Sequence, residues 1–224
     1  MIGRYLPLLA ASLRRKRLRT FFTLASIAVA FLLYGLADSM RHALQSGVDI
    51  AGADRLITMH KISFTQLIPQ SYENRIRAID GVVDVTPQTW FGAWYQNERN
   101  QLPAFPVKPE AFLRMYPEYL VPEAERLAWL ADRTGILIGR GVTDMTGWKV
   151  GDTVPLRSSI WRRTDGSDTW EFTVSAIYDL PEGGDTRQIL LHQDYFDEAK
   201  SQAKGLVGWY LVKVDDVGRA QSIG

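Results

Sequence analysis

Two contrasting patterns divide the chain. From Thr20 to Ala37 the residues TFFTLASIAVAFLLYGLA carry no charge and show no polar stripe at helical spacing. Such a run suits a helix surrounded by lipid rather than one with a wet face. Helix-compatible residues then continue through DSMRHALQSG, which predicts a short stalk from Asp38 to Gly47. Beyond it, short apolar runs alternate with turn signals. Arg55–Lys61 reads as a strand, and Gln70–Ile79 as a helix carrying Ile76 and Ile79. After the Asp80-Gly81 turn, Val82–Tyr95 is rich in β-branched and aromatic residues and reads as one strand. Pro103, Pro106 and Pro109 leave room for a short edge strand around Phe105–Val107. Glu110–Met115 and Glu123–Asp132 predict helices, Gly135–Gly139 a buried strand, and Arg140–Thr146 a helix. Thr153–Arg157, the alternating Thr169–Tyr178, Gln188–Leu191 and Trp209–Val214 predict strands, with a helix over His192–Ala203. The predicted fold class is α+β: short helices crossing an antiparallel or mixed sheet, behind one N-terminal membrane helix. The expected organisation is a lead over 1–19, the membrane helix over 20–37, a stalk over 38–54 and a domain over 55–224.

Charge sets the orientation of the apolar run. Overall, 26 Lys and Arg face 25 Asp and Glu, a net charge of +1, so nothing global points to a nucleic-acid partner. The balance hides an asymmetry. Arg4, Arg14, Arg15, Lys16, Arg17 and Arg19 crowd the first 19 residues, which hold no acid, while Asp38 opens the other side of the run. By the positive-inside rule, Arg14, Arg15, Lys16, Arg17 and Arg19 orient the membrane helix, with the N-terminus cytoplasmic and the domain exported. That places the protein in a bacterial inner membrane with the lipid bilayer as its first partner. At 1.5 Å per residue the uncharged run is about 27 Å long against a hydrocarbon core of about 30 Å. A cleavable signal peptide is the alternative, since Gly35-Leu36-Ala37 passes as a cleavage site. The apolar stretch is longer than the roughly 7–15 residues usual for a signal. The lead, with Ile2, Tyr5, Leu6, Leu9 and Leu13 at near-helical spacing, reads either as an interfacial helix or as a frayed basic tail.

Catalytic chemistry has little foothold. The chain has no cysteine, and His42, His60 and His192 are scattered without ligand spacing, so no metal site is expected. No G-x-x-x-x-G-K-[ST] loop is present, and Gly139-Arg140-Gly141 has the wrong continuation for a dinucleotide fingerprint. Its expected role is a strand-to-helix turn. Neither a G-x-S-x-G elbow nor a convincing serine–histidine pair occurs. No catalytic residue, no bound cofactor and no enzymatic activity are expected of this chain.

The ordering resembles the MacB/FtsX-type permease subunits of ABC transporters. The resemblance is carried by the basic lead running into the apolar helix, LRRKRLRTFFTLASIAVAFLL over Leu13–Leu33. It is carried also by ILIGRGVTDMTGWKVGDTVPL over Ile136–Leu156, which looks like the family's strand, small helix, G-x-x-x-G-D turn and strand. Phe172–Ile177 and Ile189–Leu191 sit where the family has its next strands. These are patterns of fold rather than of chemistry, and they cover nearly the whole chain. The resemblance implies a periplasmic domain of the MacB core type. It also implies a membrane-spanning subunit driven by a separate ATPase that binds ATP and Mg, a second permease subunit, and periplasmic partner proteins. The family closes with three further membrane helices, which the 224 residues lack. Asp215–Gly224 begins a helix of about two turns, too short to be stable alone, which implies an N-terminal part of a longer protein. A single-span, membrane-anchored binding or scaffold protein without an ATPase is the other reading.

One surface feature stands out. If Val82–Tyr95 is a single strand, Trp90 and Trp94 share one face while Phe91 and Tyr95 share the other. The four are either a strand buried on both sides or a candidate partner or lipid surface. Trp161, beside Arg162 and Arg163, reads as a loop or hairpin tip.

Overall fold

The computed structural model describes residues 17–51, 54–181 and 184–216, with side chains of the first helix described over 18–40. The chain divides into two compact units, Met1–Gly52 and Ala53–Gly224.

The first unit contains α1 (Arg17–Ala51). Its segment Leu18–Met40 is long and apolar enough to cross a membrane, with a mean hydropathy of 2.0 and none of that window buried. These 23 residues span about 34 Å at 1.5 Å each, enough for a bilayer core. Two hydroxyls in the apolar run are satisfied within the helix. Thr23 Oγ1 donates to Arg19 O at 2.9 Å, and Ser26 Oγ to Thr23 O at 3.0 Å, so neither needs water. The helix does not stop at the expected Gly47 but runs on to Ala51. A helical glycine costs only about 1 kcal/mol and need not end a helix. Arg17 and Arg19 lie in its first turn, whereas Arg14, Arg15, Lys16 and the rest of the lead are outside the described residues. So is the short helix expected after Asp216.

The second unit holds strands β1 (Arg55–Met59), β2 (Ile68–Pro69), β3 (Val82–Gln88), β4 (Ala93–Tyr95), β5 (Asn97–Leu102) and β6 (Ala104–Val107). These are followed by β7 (Gly135–Gly139), β8 (Thr153–Ser158), β9 (Thr169–Tyr178), β10 (Ile189–His192), β11 (Leu206–Val207) and β12 (Trp209–Val214). Its helices are α2 (Tyr72–Arg77), α3 (Pro109–Met115), α4 (Glu123–Ala131), α5 (Arg140–Thr146) and α6 (Gln193–Ala199). Among the described residues, ten strands make one mixed sheet in the order β1-β12-β3-β6-β10-β7-β9-β8-β4-β5, and β2 pairs with β11 apart from it. Side-chain parity sorts the core. Trp209 and Leu211 on β12, Leu190 on β10 and Leu137 on β7 pack with Phe112, Met115 and Trp129 of α3 and α4 on one face. Tyr210 and Val212 face the other way, toward Ile76 of α2. Ile189 and Leu191 also face that way, toward Val142 and Phe196 of α5 and α6. The result is three layers, α/β/α, built from the expected α+β elements.

Three details depart from the expected pattern. Val82–Tyr95 is not one strand: β3 stops at Gln88, and the chain turns through Gly92, whose φ is +65°. A side chain is strained in that region. The alternation in Thr169–Tyr178 shifts phase between the β7 pairs Ile136–Val174 and Leu137–Ala176. Ser175 is therefore the extra residue of a bulge, which puts Val174 on one face and Ala176 on the other. Finally, β6 lies inside the sheet, not at its edge. Ile189 N–H donates to Pro103 O at 2.8 Å, and Phe91 N–H to Ala104 O at 3.0 Å. Alternation then turns the donorless nitrogen of Pro106 toward β3, where the ladder is the one pair Gln88–Val107. The sheet is almost split there.

Candidate interaction surface

Directly opposed residues of an antiparallel pair share a face, so Ile57 opposite Leu211 and Met59 opposite Trp209 continue the α3–α4 side of the sheet. The helices leave this end uncovered: Ile57 is 57% exposed, Met59 44% and Phe64 52%. Four rings run across it in contact. Phe64 stacks on Trp209 at 4.8 Å, Trp209 meets Phe105 edge-on at 6.2 Å, and Phe105 meets Trp90 at 5.3 Å. Trp209 is fixed by its Nε1–H donating to Gln88 Oε1 at 2.8 Å. The row therefore has a rigid buried middle and accessible ends, the amphipathic geometry that suits aromatic contacts with a partner.

The four aromatic residues singled out in the sequence do not sit together on one surface. Only Trp90, 36% exposed, belongs to the row just described. Phe91 is fully buried between Trp170 and Phe196, at 5.3 and 5.8 Å. Trp94 is buried under the Arg157 guanidinium, 4.5 Å from its ring. Tyr95, half-buried, meets Trp148 edge-on at 4.8 Å. The turn at Gly92 is the physical reason, because it cancels the face-sharing a continuous strand would impose. Trp161 is also core rather than a hairpin tip: its Nε1–H donates to Trp90 O at 2.9 Å, and its ring meets Phe196 at 5.2 Å. The sequence offered no signal for the row that does form, since Phe64, Phe105 and Trp209 come from distant segments.

Charge on the domain is paired rather than poised. Arg55 reaches both oxygens of Glu118 and lies 4.3 Å from the centre of the Tyr116 ring. Burial pushes Tyr116 up to about 12, so it stays neutral at physiological pH. Glu73 accepts from Lys108 Nζ at 2.8 Å, and Asp84 from Arg77 and Arg114 at 2.9 and 3.1 Å. Lys200 is fully buried, its Nζ bonding Asp197 at 2.7 Å and Leu206 O at 2.9 Å. A solvent-facing cavity of about 330 Å³ is lined by Lys108, Glu110, His192 and Asp194. His192 Nε2 is engaged with Trp129 O at 2.8 Å, and burial lowers its pKa. Nothing in that cavity pairs a nucleophile with a base. Among the described residues no group of acids and histidines could hold a metal.

No family model matches the sequence, and comparison with curated proteins finds no match. Solved structures do match. The periplasmic region of MacB from Actinobacillus actinomycetemcomitans aligns over 79% of this chain and 83% of its own, with 10% identity and a TM-score of 0.53. The extracellular domain of the noncanonic ABC-type transporter YknZ from Gram-positive bacteria aligns over 76% and 87%, with 10% identity and a TM-score of 0.51. The resemblance is thereby met at the level of fold for the sheet domain, and the one N-terminal apolar helix fits it. Behind one apolar helix, this chain carries a mixed α/β domain with the fold of the MacB periplasmic region and the YknZ extracellular domain.

Proposed function

We propose that the chain is the membrane-spanning subunit of an ABC transporter, with α1 crossing the inner membrane and the sheet domain exported. The observation that carries this reading is the combination of one span, Leu18–Met40, with a domain of MacB-like fold. Neither half is specific alone. A separate cytoplasmic ATPase would bind ATP and Mg, a second permease subunit would complete the transporter, and the chain itself would do no chemistry. The basic residues Arg14–Arg19 hold the N-terminus in the cytoplasm. Work is then mechanical: rearrangement of the membrane helices moves α1, and the stalk beyond Asp38 passes that motion to the domain for export or for signalling to a periplasmic partner.

The test is an insertion of a flexible Gly-Ser segment after Gln45 in the assembled transporter, with ATPase rate and transport read together. Rigid coupling predicts retained ATP hydrolysis with transport lost. Undiminished transport refutes coupling through the stalk. Failure of any ATPase to co-purify with the chain would favour the single-span binding protein.

A further inference from the structure

The strand that follows the first helix lies at the edge of the sheet and is held there by one ladder, to β12. Val214 N–H donates to Asp54 O at 2.8 Å. With the register Leu56–Val212 and Thr58–Tyr210, alternation places the hydrogen-bonded pairs of β1 at these two positions and at 54–214. Burial adds little, because Ile57, Thr58 and Met59 are all exposed. The chain enters the sheet at Asp54 and leaves it past Val214 on that same rung. Tension at this end therefore opens β1 from β12 one pair at a time, instead of shearing all the pairs together.

The first rung is also where the charges gather. Arg55 is only 10% exposed at its side chain and holds Glu118 with both terminal nitrogens. Asp54 adds Lys213 at 3.6 Å. Glu118 sits in the connection between α3 and α4. Two residues on, Leu120 and Asp179 exchange both backbone hydrogen bonds, at 2.9 and 3.0 Å, which ties that connection to the residue after β9. Alongside it, Tyr116 meets Tyr119 at 5.9 Å, and Tyr119 meets Tyr178 of β9 at 4.6 Å.

We propose that the Arg55–Glu118 pair is a mechanical latch that binds the leading strand to the centre of the sheet. β9 is the seventh strand in the order, and the direct route to it crosses the single-pair joint between β3 and β6. The latch bypasses that joint: displacement of β1 passes through Glu118 and the Leu120–Asp179 bridge to β9, so both halves of the sheet move together. A bidentate arginine suits the task, since two parallel bonds fix direction as well as distance.

Amide exchange on the full chain in detergent micelles tests this. In Glu118→Gln, which keeps shape and removes the charge, β1 amides should exchange about tenfold faster while those of β7 and β9 stay within about twofold. Arg55→Lys, which keeps charge but loses the fork, should give a smaller acceleration at the same place. Arg133→Gln, which breaks the exposed pair with Glu198, should leave β1 unchanged. Unaltered exchange in β1, or equal acceleration across the sheet, overturns the latch. The latch's use in transport rests on the permease reading and is read separately. Accelerated exchange with undiminished transport by the assembled Glu118→Gln transporter would leave the latch in place and overturn coupling through it.

Discussion

Replacing Asp84 probes how the sheet survives its near-split between β3 and β6. The odd residues of β12 bond β3, so Val85 turns its N–H and C=O toward the gap that β6 does not fill. Side chains fill it instead. Asp84 Oδ1 accepts from Val85 N–H at 2.9 Å, and Arg77 Nη2 donates to Val85 O at 2.9 Å. Asp84 also takes Arg77 Nη1 at 2.9 Å on Oδ1, and Arg114 at 3.2 and 3.1 Å on Oδ2. The two arginines are 43% and 60% exposed and rehydrate when released, so each pair contributes up to about 1 kcal/mol. Val85 is fully buried, and its orphaned N–H costs about 1–3 kcal/mol. Asp84→Ala should therefore destabilise by about 2–4 kcal/mol. Asp84→Asn keeps an oxygen for Val85 and should lose about 1–2 kcal/mol. Urea unfolding of the full chain in micelles, followed by tryptophan fluorescence, reads the difference. With a slope of about 2 kcal/mol per M, the midpoint falls by about 1–2 M for Ala and about half that for Asn. Equal losses for the two variants would refute the role given to the Val85 N–H. The pH dependence gives a second check. Burial pushes the Asp84 pKa up, but hydrogen bonds from Arg77, Val85 and Arg114 outweigh it and hold the group below the ordinary range. Its stabilisation is present above about pH 4 and lost as pH falls through the folded value. Asp84→Asn should lack that acid limb.

Further outcomes follow from the packing. At Gly139 an added Cβ would collide with the backbone oxygen of Thr186, whereas at Gly147 nothing lies within 4 Å. Gly139→Ala should thus unfold the domain or lower its midpoint severely, while Gly147→Ala should cost about 1 kcal/mol through its positive φ alone, both read by thermal melts. Phe91→Ala should cost about 3–5 kcal/mol. Trp90→Ala should cost less stability than Phe91→Ala yet weaken any partner that docks on the aromatic row, measured by melting and by binding in parallel. Lys200, lowered first of all by burial, titrates earlier in the folded chain than in the unfolded one. Stability should then rise with pH between the folded value and about 10.4, a rise that Lys200→Met should abolish.

Local chemistry made much of this fold legible. Gly135–Gly139, Arg140–Thr146, Thr169–Tyr178 and Trp209–Val214 have the expected bounds, because the three strands are continuous or alternating apolar runs and the helix is closed by Gly147 in the left-handed region. Most of the misses are non-local. Nothing near Pro106 announces that β10 will pair beside it and that β3 will not. Nothing near Trp161 announces that Phe196 will cover it. β5 is Asn97–Leu102, five exposed polar residues before one buried leucine, and it becomes a strand only because β4 turns back onto it. The four aromatic residues of the 90–95 segment part for a local reason instead, since the turn at Gly92 decides which faces they take. The Arg55–Glu118 pair spans 63 positions, a separation at which charge spacing in a sequence carries no information.

The shared rung of Asp54 and Val214 makes the domain a detachable module. Its two ends leave the sheet side by side, so a short hairpin turn between positions 54 and 215 could replace everything between them. Both attachment points of the domain therefore lie on one edge of the sheet, one residue pair apart. A fold closed on itself in this way can be exchanged as one unit through a single pair of adjacent attachment points.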